Sequence, residues 1–113
     1  MFRRVWADWF EQYDLLLCPV MAMPPFPHVR EGGIVDRTIA VDGEPRSLMS
    51  TVSWPGLIGV LGLPSAVVPI GRTAAGLPVG MQIVAPYLHD RRAVRTAQLV
   101  SEVIGGYTPP PGF

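Results

Sequence analysis

One thiol, Cys18, and two imidazoles, His28 and His89, are the side chains that first invite a catalytic reading. A Cys–His pair is chemically sufficient for acyl transfer, provided the imidazole holds the thiol within hydrogen-bond reach. The surroundings of Cys18 argue against that use. It lies inside the continuous apolar run Leu15-Leu16-Leu17-Cys18-Pro19-Val20, where a free cysteine behaves as a small hydrophobe. A reactive thiol needs an electropositive, partly open setting. The two histidines form no H-x-x-x-H or H-E-x-x-H pattern, and a single cysteine excludes a multi-cysteine metal site. No metal site and no cofactor is expected. All nine basic residues are arginine, so the chain has no lysine amine to act as a general base. No catalytic residue is assigned within it.

Two further polar or aromatic side chains are candidates for binding a substrate. Gln82 stands in an apolar, strand-like run, where alternation places it on one face with Gly80 and Val84 and opposite Met81 and Ile83. It either lines a substrate pocket or is a buried amide satisfied by neighbouring backbone. Trp54 precedes a Pro-Gly pair and either packs an apolar group of a substrate or serves as a core or interface aromatic.

The elements that must position these residues follow from the spacing of apolar and turn residues. Val5, Trp6, Trp9, Phe10 and Tyr13 recur at helical spacing and predict an amphipathic helix over about residues 2–13. Leu15–Val20 reads as a strand buried on both faces. Residues 21–35, with three prolines and Gly32-Gly33, read as an irregular loop. Thr38–Val41, Asp42-Gly43 and Glu44–Arg46 predict a hairpin, with Pro45 confining its second arm to an edge. Ser47 caps a short helix reaching about Trp54, which Pro55 and Gly56 interrupt before a further helical turn at Leu57–Leu61. Ser65–Ile70 and Val79–Ala85 are the two clearest strands and fit an antiparallel pair. Asp90 opens a helix whose stripe is Ala93, Val94, Ala97, Val100, Val103 and Ile104, with Asp90 as cap and Gly105 as stop. Arg91 and Arg92 sit where the helix dipole disfavours cations, which points to a contact with another segment. Residues 105–113 form an irregular tail. The fold class expected is α/β: a small mixed sheet flanked by helices, in a single domain over residues 1–113.

Composition narrows the function classes. Charged residues make up 16% of the chain, below the roughly 25% of soluble domains, so part of this surface is expected to be hidden in a larger assembly or an oligomer. Nine basic residues cancel nine acidic ones, and no basic patch suits a nucleic acid partner. No apolar run approaches the roughly 20 residues that cross a bilayer. Asp8 and Glu11 break the apolar core a signal peptide needs, so a cytoplasmic location and no membrane partner are expected.

Three segments in order carry a family resemblance. Tyr13-Asp14-Leu15-Leu16-Leu17-Cys18-Pro19 resembles the "YDxLLxPT" strand of the amidase-signature hydrolases. Gly62-Leu63-Pro64-Ser65-Ala66 resembles their "GLPA" segment, and Gly76-Leu77-Pro78-Val79-Gly80-Met81-Gln82-Ile83 their "GLPVGxQ" strand. The helix at Asp90 falls where that family places its last long helix. The pattern departs at Gly59, where many relatives carry Asn. The resemblance covers about residues 9–104 and implies the C-terminal segment of the amidase fold. It also implies hydrolysis of a carboxamide by two serines and a lysine, with backbone N–H donors from a Gly/Ser-rich loop. Those residues lie N-terminal to the matched region in the family. The resemblance therefore implies a chain inactive alone, partnered by the rest of an amidase or by a copy of itself, with a small amide as the complete enzyme's substrate. The alternatives are a related amidotransferase component and a non-catalytic, self-associating α/β remnant.

Overall fold

The computed structural model describes residues 2–28 and 30–112. Met1, Val29 of the expected loop and Phe113 of the expected tail lie outside them. The element order is α1 (Phe2–Phe10), β1 (Leu16–Pro19), β2 (Thr38–Val41), β3 (Glu44–Ser47), a 3-10 helix (Leu48–Val52), α2 (Ser53–Leu61), β4 (Ser65–Arg72), β5 (Pro78–Val84) and α3 (Asp90–Ile104). The helices and sheets make an α/β chain, but the expected mixed sheet is corrected. Among the described residues every strand pair is antiparallel: a three-stranded sheet in the order β1-β5-β4, and a separate β2-β3 hairpin. Thr73–Leu77 links β4 and β5 as a closed turn, with the Thr73 N–H donating to the Leu77 carbonyl at 2.8 Å. That short return forces adjacent strands to run in opposite directions.

The hairpin forms as its residues predict. Asp42 and Gly43 both take positive φ, at 53° and 84°, the backbone a two-residue turn of this hand requires. Ser47 caps the 3-10 helix, its Oγ accepting from the Met49 N–H at 3.3 Å. The expected break at Pro55-Gly56 does not occur, because α2 runs through both residues. Pro55 is the third residue of α2, and the first four N–H groups of a helix have no intrahelical partner, so its missing donor removes no bond. Helix α1 stops at Phe10 rather than Tyr13. The Gln12 N–H bonds back only three residues, to Trp9, as the chain tightens and leaves the helix. Asp90 is the first residue of α3, but no side chain caps its N-terminus; Gly105, at φ 101°, ends it.

The two faces of the three-stranded sheet are covered differently. On the face of Cys18 and Val84, α1 and α2 close a core of Cys18, Ile58, Leu61, Leu63 and Val84, with Trp6, Phe10 and Leu16 packed against it. On the other face, Val68 and Ile83 are buried together with Ala93 of α3. Removing an Ile or Val side chain of this kind from water contributes about 1.5–3 kcal/mol. Strand β1 is not buried on both faces as expected. Leu17 remains 53% exposed, because β1 is an edge strand and the helices cover only one of its sides.

Candidate functional site

The middle of β5 gathers the polar groups of the sheet. Gln82 pairs with Cys18 of β1 and with Val67 of β4. The residue is 5% exposed. Nε2 donates to the Ser65 Oγ at 3.0 Å, and the Cys18 thiol donates to Oε1 at a long 3.9 Å. The amide is thus engaged by side chains of both flanking strands, not by backbone. Burial pushes the Cys18 thiol above its ordinary pKa of 9.0, which disfavours the thiolate a nucleophile needs. Its hydrogen-bond partner is the Gln82 amide and not an imidazole. His28 is exposed in the loop, and His89 Nδ1 lies 3.1 Å from the Tyr87 carbonyl. Among the described residues no cluster of three His, Cys, Asp or Glu side chains suits a metal ion.

Beyond Gln82 the end of the sheet, with the chain that follows β1, opens into an apolar groove of about 790 Å³. Gly80 forms its floor. A Cβ there would lie 3.1 Å from Val67 Cγ1 and 3.5 Å from Val20 Cγ2, so the bare backbone lets the two valines close over the strand. Val20, Met21, Met23, Val67 and Ile70 stand in the wall, and no charged side chain does. Ile70 reaches the groove through an irregularity in β4. Pro69 pairs with Gly80 and Gly71 with Val79, leaving Ile70 as an extra residue without a partner. Such a bulge breaks strict alternation.

Of the two binding candidates, Gln82 is buried beside the groove with its amide already occupied and does not stand in the groove wall. Trp54 lies on α2, 37% exposed, and is not in the groove wall. The structure brings Gln82 together with Cys18 and Ser65, and does not bring Trp54 into that group. Sequence reasoning missed Val67, Ile70 and the Met21–Met23 stretch as wall residues. The signal for the loop part was its succession of apolar residues and prolines directly after β1; the bulge left no signal.

Helix α1 is held over the core by Arg3. Its Nε donates to the Leu61 carbonyl at 3.1 Å, and its guanidinium stacks 4.6 Å from the Tyr87 ring centroid. Arg92 reaches Asp14 at 3.4 Å, with both side chains well exposed, which is the contact between segments that its place in the first turn of α3 suggested. No helix among the described residues is long and apolar enough to cross a membrane.

Comparison with known proteins places this arrangement. The chain is 36% identical over 101 residues to a glutamyl-tRNA(Gln) amidotransferase subunit of Salinispora tropica, covering 89% of this chain and 18% of the relative. It is 30% identical over 103 residues to the indoleacetamide hydrolase of Bradyrhizobium japonicum, covering 90% of this chain and 20% of the relative. With fatty-acid amide hydrolase 2-A of Danio rerio it shares 43% identity over 58 residues, 51% of this chain and 11% of the relative. The chain therefore spans a fifth or less of the length of these relatives. Residues 1–94 match the amidase family, and the chain belongs to that family.

Proposed function

We propose that this chain is the C-terminal portion of an amidase and works as its scaffold rather than its catalyst. Its sheet completes the enzyme's fold, and its groove lies among the surfaces that the rest of the enzyme meets. The reaction is cleavage of the amide C–N bond: a serine oxygen attacks the carbonyl carbon, the amine or ammonia leaves with a proton, and water releases the carboxylate. The serines and the lysine that manage these protons belong to the rest of the enzyme. The observation that carries this reading is the family match over residues 1–94 in a chain without any lysine. The engaged Gln82 amide and the buried thiol support it, since neither is free to replace the missing base.

The test has two arms. The purified chain is expected to release no ammonia from a panel of carboxamides; turnover abolished by Cys18→Ala overturns the reading. A chimera of the Bradyrhizobium japonicum indoleacetamide hydrolase, with its matching segment replaced by this chain, is expected to hydrolyse indoleacetamide. A second reading, as part of an amidotransferase, draws on the 36% identity over 89% of the chain. It predicts instead that function returns only when the chain replaces the matching segment of the Salinispora tropica protein.

A further inference from the structure

The open end of the β2–β3 hairpin holds a separate cavity of about 440 Å³, walled by Phe26, His28, Arg30, Arg37 and Leu48. Two guanidiniums and an imidazole thus face one space, and among the described residues no carboxylate joins them. Backbone bonds fix this wall. The Asp36 N–H donates to the Gly33 carbonyl at 3.0 Å and closes a turn ahead of β2, and the Leu48 N–H donates to the Arg37 carbonyl at 2.8 Å. Arg37 is half-buried, and its Nε donates to the Gly32 carbonyl at 3.2 Å. That bond orients the guanidinium and leaves its terminal N–H donors for another acceptor. Glu31 and Asp36, the acidic neighbours along the chain, stay out of the wall. Among the described residues neither forms an ion pair with Arg30 or Arg37.

The cavity between α1 and the start of α3 shows the contrast. It also holds Arg3, His89 and Arg92, but Glu11 stands in its wall. Both of its arginines are engaged, Arg3 by the Leu61 carbonyl and the Tyr87 ring, Arg92 by Asp14. At the hairpin the positive charges lack such a counterpart, and an anion placed among them is attracted by each. A guanidinium is a planar fork that matches a carboxylate. Phe26 and Leu48, both half-buried, add an apolar flank that a bare inorganic ion does not use. We propose that this cavity binds an organic carboxylate carrying an aryl or alkyl group. Arg30 and Arg37 hold the carboxylate, and the apolar body lies against Phe26 and Leu48. His28 offers a ring N–H, which its neutral and its charged form both carry. The site needs only this chain and does not rest on the amidase reading.

Phenylacetate is the probe, titrated into the isotope-labelled chain at low salt and followed by backbone amide NMR shifts. The signals of Gly32, Arg37 and Leu48 are expected to move saturably while those of β5 stay in place. Phenylacetamide has the same ring without the charge and is expected to bind about tenfold or more weakly. Raising the salt about tenfold is expected to weaken phenylacetate binding severalfold. Arg30→Gln breaks no hydrogen bond that holds the wall, and is expected to lower the affinity about tenfold. Arg37→Gln is expected to lower it at least as much; if it also disturbs the loop, Arg30→Gln decides. The proposal is overturned by the absence of a saturable shift, by equal binding of the neutral amide, or by unchanged affinity in folded Arg30→Gln. Inorganic phosphate binding as tightly as phenylacetate overturns it too, since the apolar flank then contributes nothing.

Discussion

Gln82 is the residue on which the sheet's polar chemistry converges. A buried amide bonded to two flanking strands is a cross-strand tie, and losing it leaves polar partners unsatisfied. Gln82→Ala is expected to destabilise the chain by about 2 kcal/mol in urea unfolding, and Ser65→Ala by about 1 kcal/mol. A role confined to substrate contact predicts unchanged stability for both, with a raised KM in the chimera. Cys18 adds a pH dependence of known sign. Its folded pKa lies above the ordinary 9.0 because burial penalises the thiolate. Above pH 9.0 the unfolded chain releases this proton more readily than the folded one, so stability falls as pH rises through the folded pKa. Below pH 9.0 the contribution is fully present. Denaturation midpoints measured from pH 7 upward are expected to decline in the alkaline range, and Cys18→Ala is expected to remove the part of that slope due to the thiol.

At the scale of elements, one glycine and one arginine add a polar tie to the apolar junction of α1 with α2. Gly62 ends α2 at φ 64°, and a Cβ there would lie 2.8 Å from Arg3 Nη2. The guanidinium is flexible and can move aside, but its bond to the Leu61 carbonyl then fails and the left-handed backbone remains strained. Gly62→Ala is expected to cost about 1–2 kcal/mol from the backbone alone, with a further loss of order 1 kcal/mol from the displaced hydrogen bond. Hydrogen exchange in residues 2–10 is expected to accelerate in this variant and in Arg3→Ala, while α3 stays protected. The Arg92–Asp14 pair is different in kind. Both partners are exposed, and such pairs contribute little. Arg92→Ala is expected to lower the unfolding free energy by no more than about 0.5 kcal/mol in urea titration. A larger effect means that this contact, rather than apolar packing, fixes α3.

For the whole molecule, a small buried core is set against a surface larger than the mass warrants. A chain with so little of its surface removed from water has a small margin over the entropy of ordering it. Its unfolding free energy alone is expected to fall at or below the lower end of the usual range, about 5 kcal/mol, as measured by urea titration. Incorporation into the chimera is expected to raise the urea midpoint of the same segment, followed by hydrogen exchange. An equal midpoint in both states means that the surrounding enzyme adds no contacts, and the scaffold role fails with it.

Residue types and their spacing were enough to mark most of the elements and the lineage. Asp42-Gly43 makes a tight turn because both residues adopt positive φ. The helix expected from Asp90 forms over Asp90–Ile104, although of its apolar stripe only Ala93 is buried and Val94, Val103 and Ile104 stay exposed, and the ordered Gly-Leu-Pro strands mark the family matched over residues 1–94. Packing in three dimensions was needed to set where Ile70 points and which groups satisfy the Gln82 amide. A bulge is a mismatch between two strands, so neither strand's own residues encode it. A buried amide finds its partners only when residues 17 or more positions apart are laid side by side, as Cys18, Ser65 and Gln82 are. The continuation of α2 through Pro55 follows the same logic, since a proline's effect depends on where the helix begins. Ile58 and Leu61 hold that helix in register by packing into the core, a contact that alternation and period leave open.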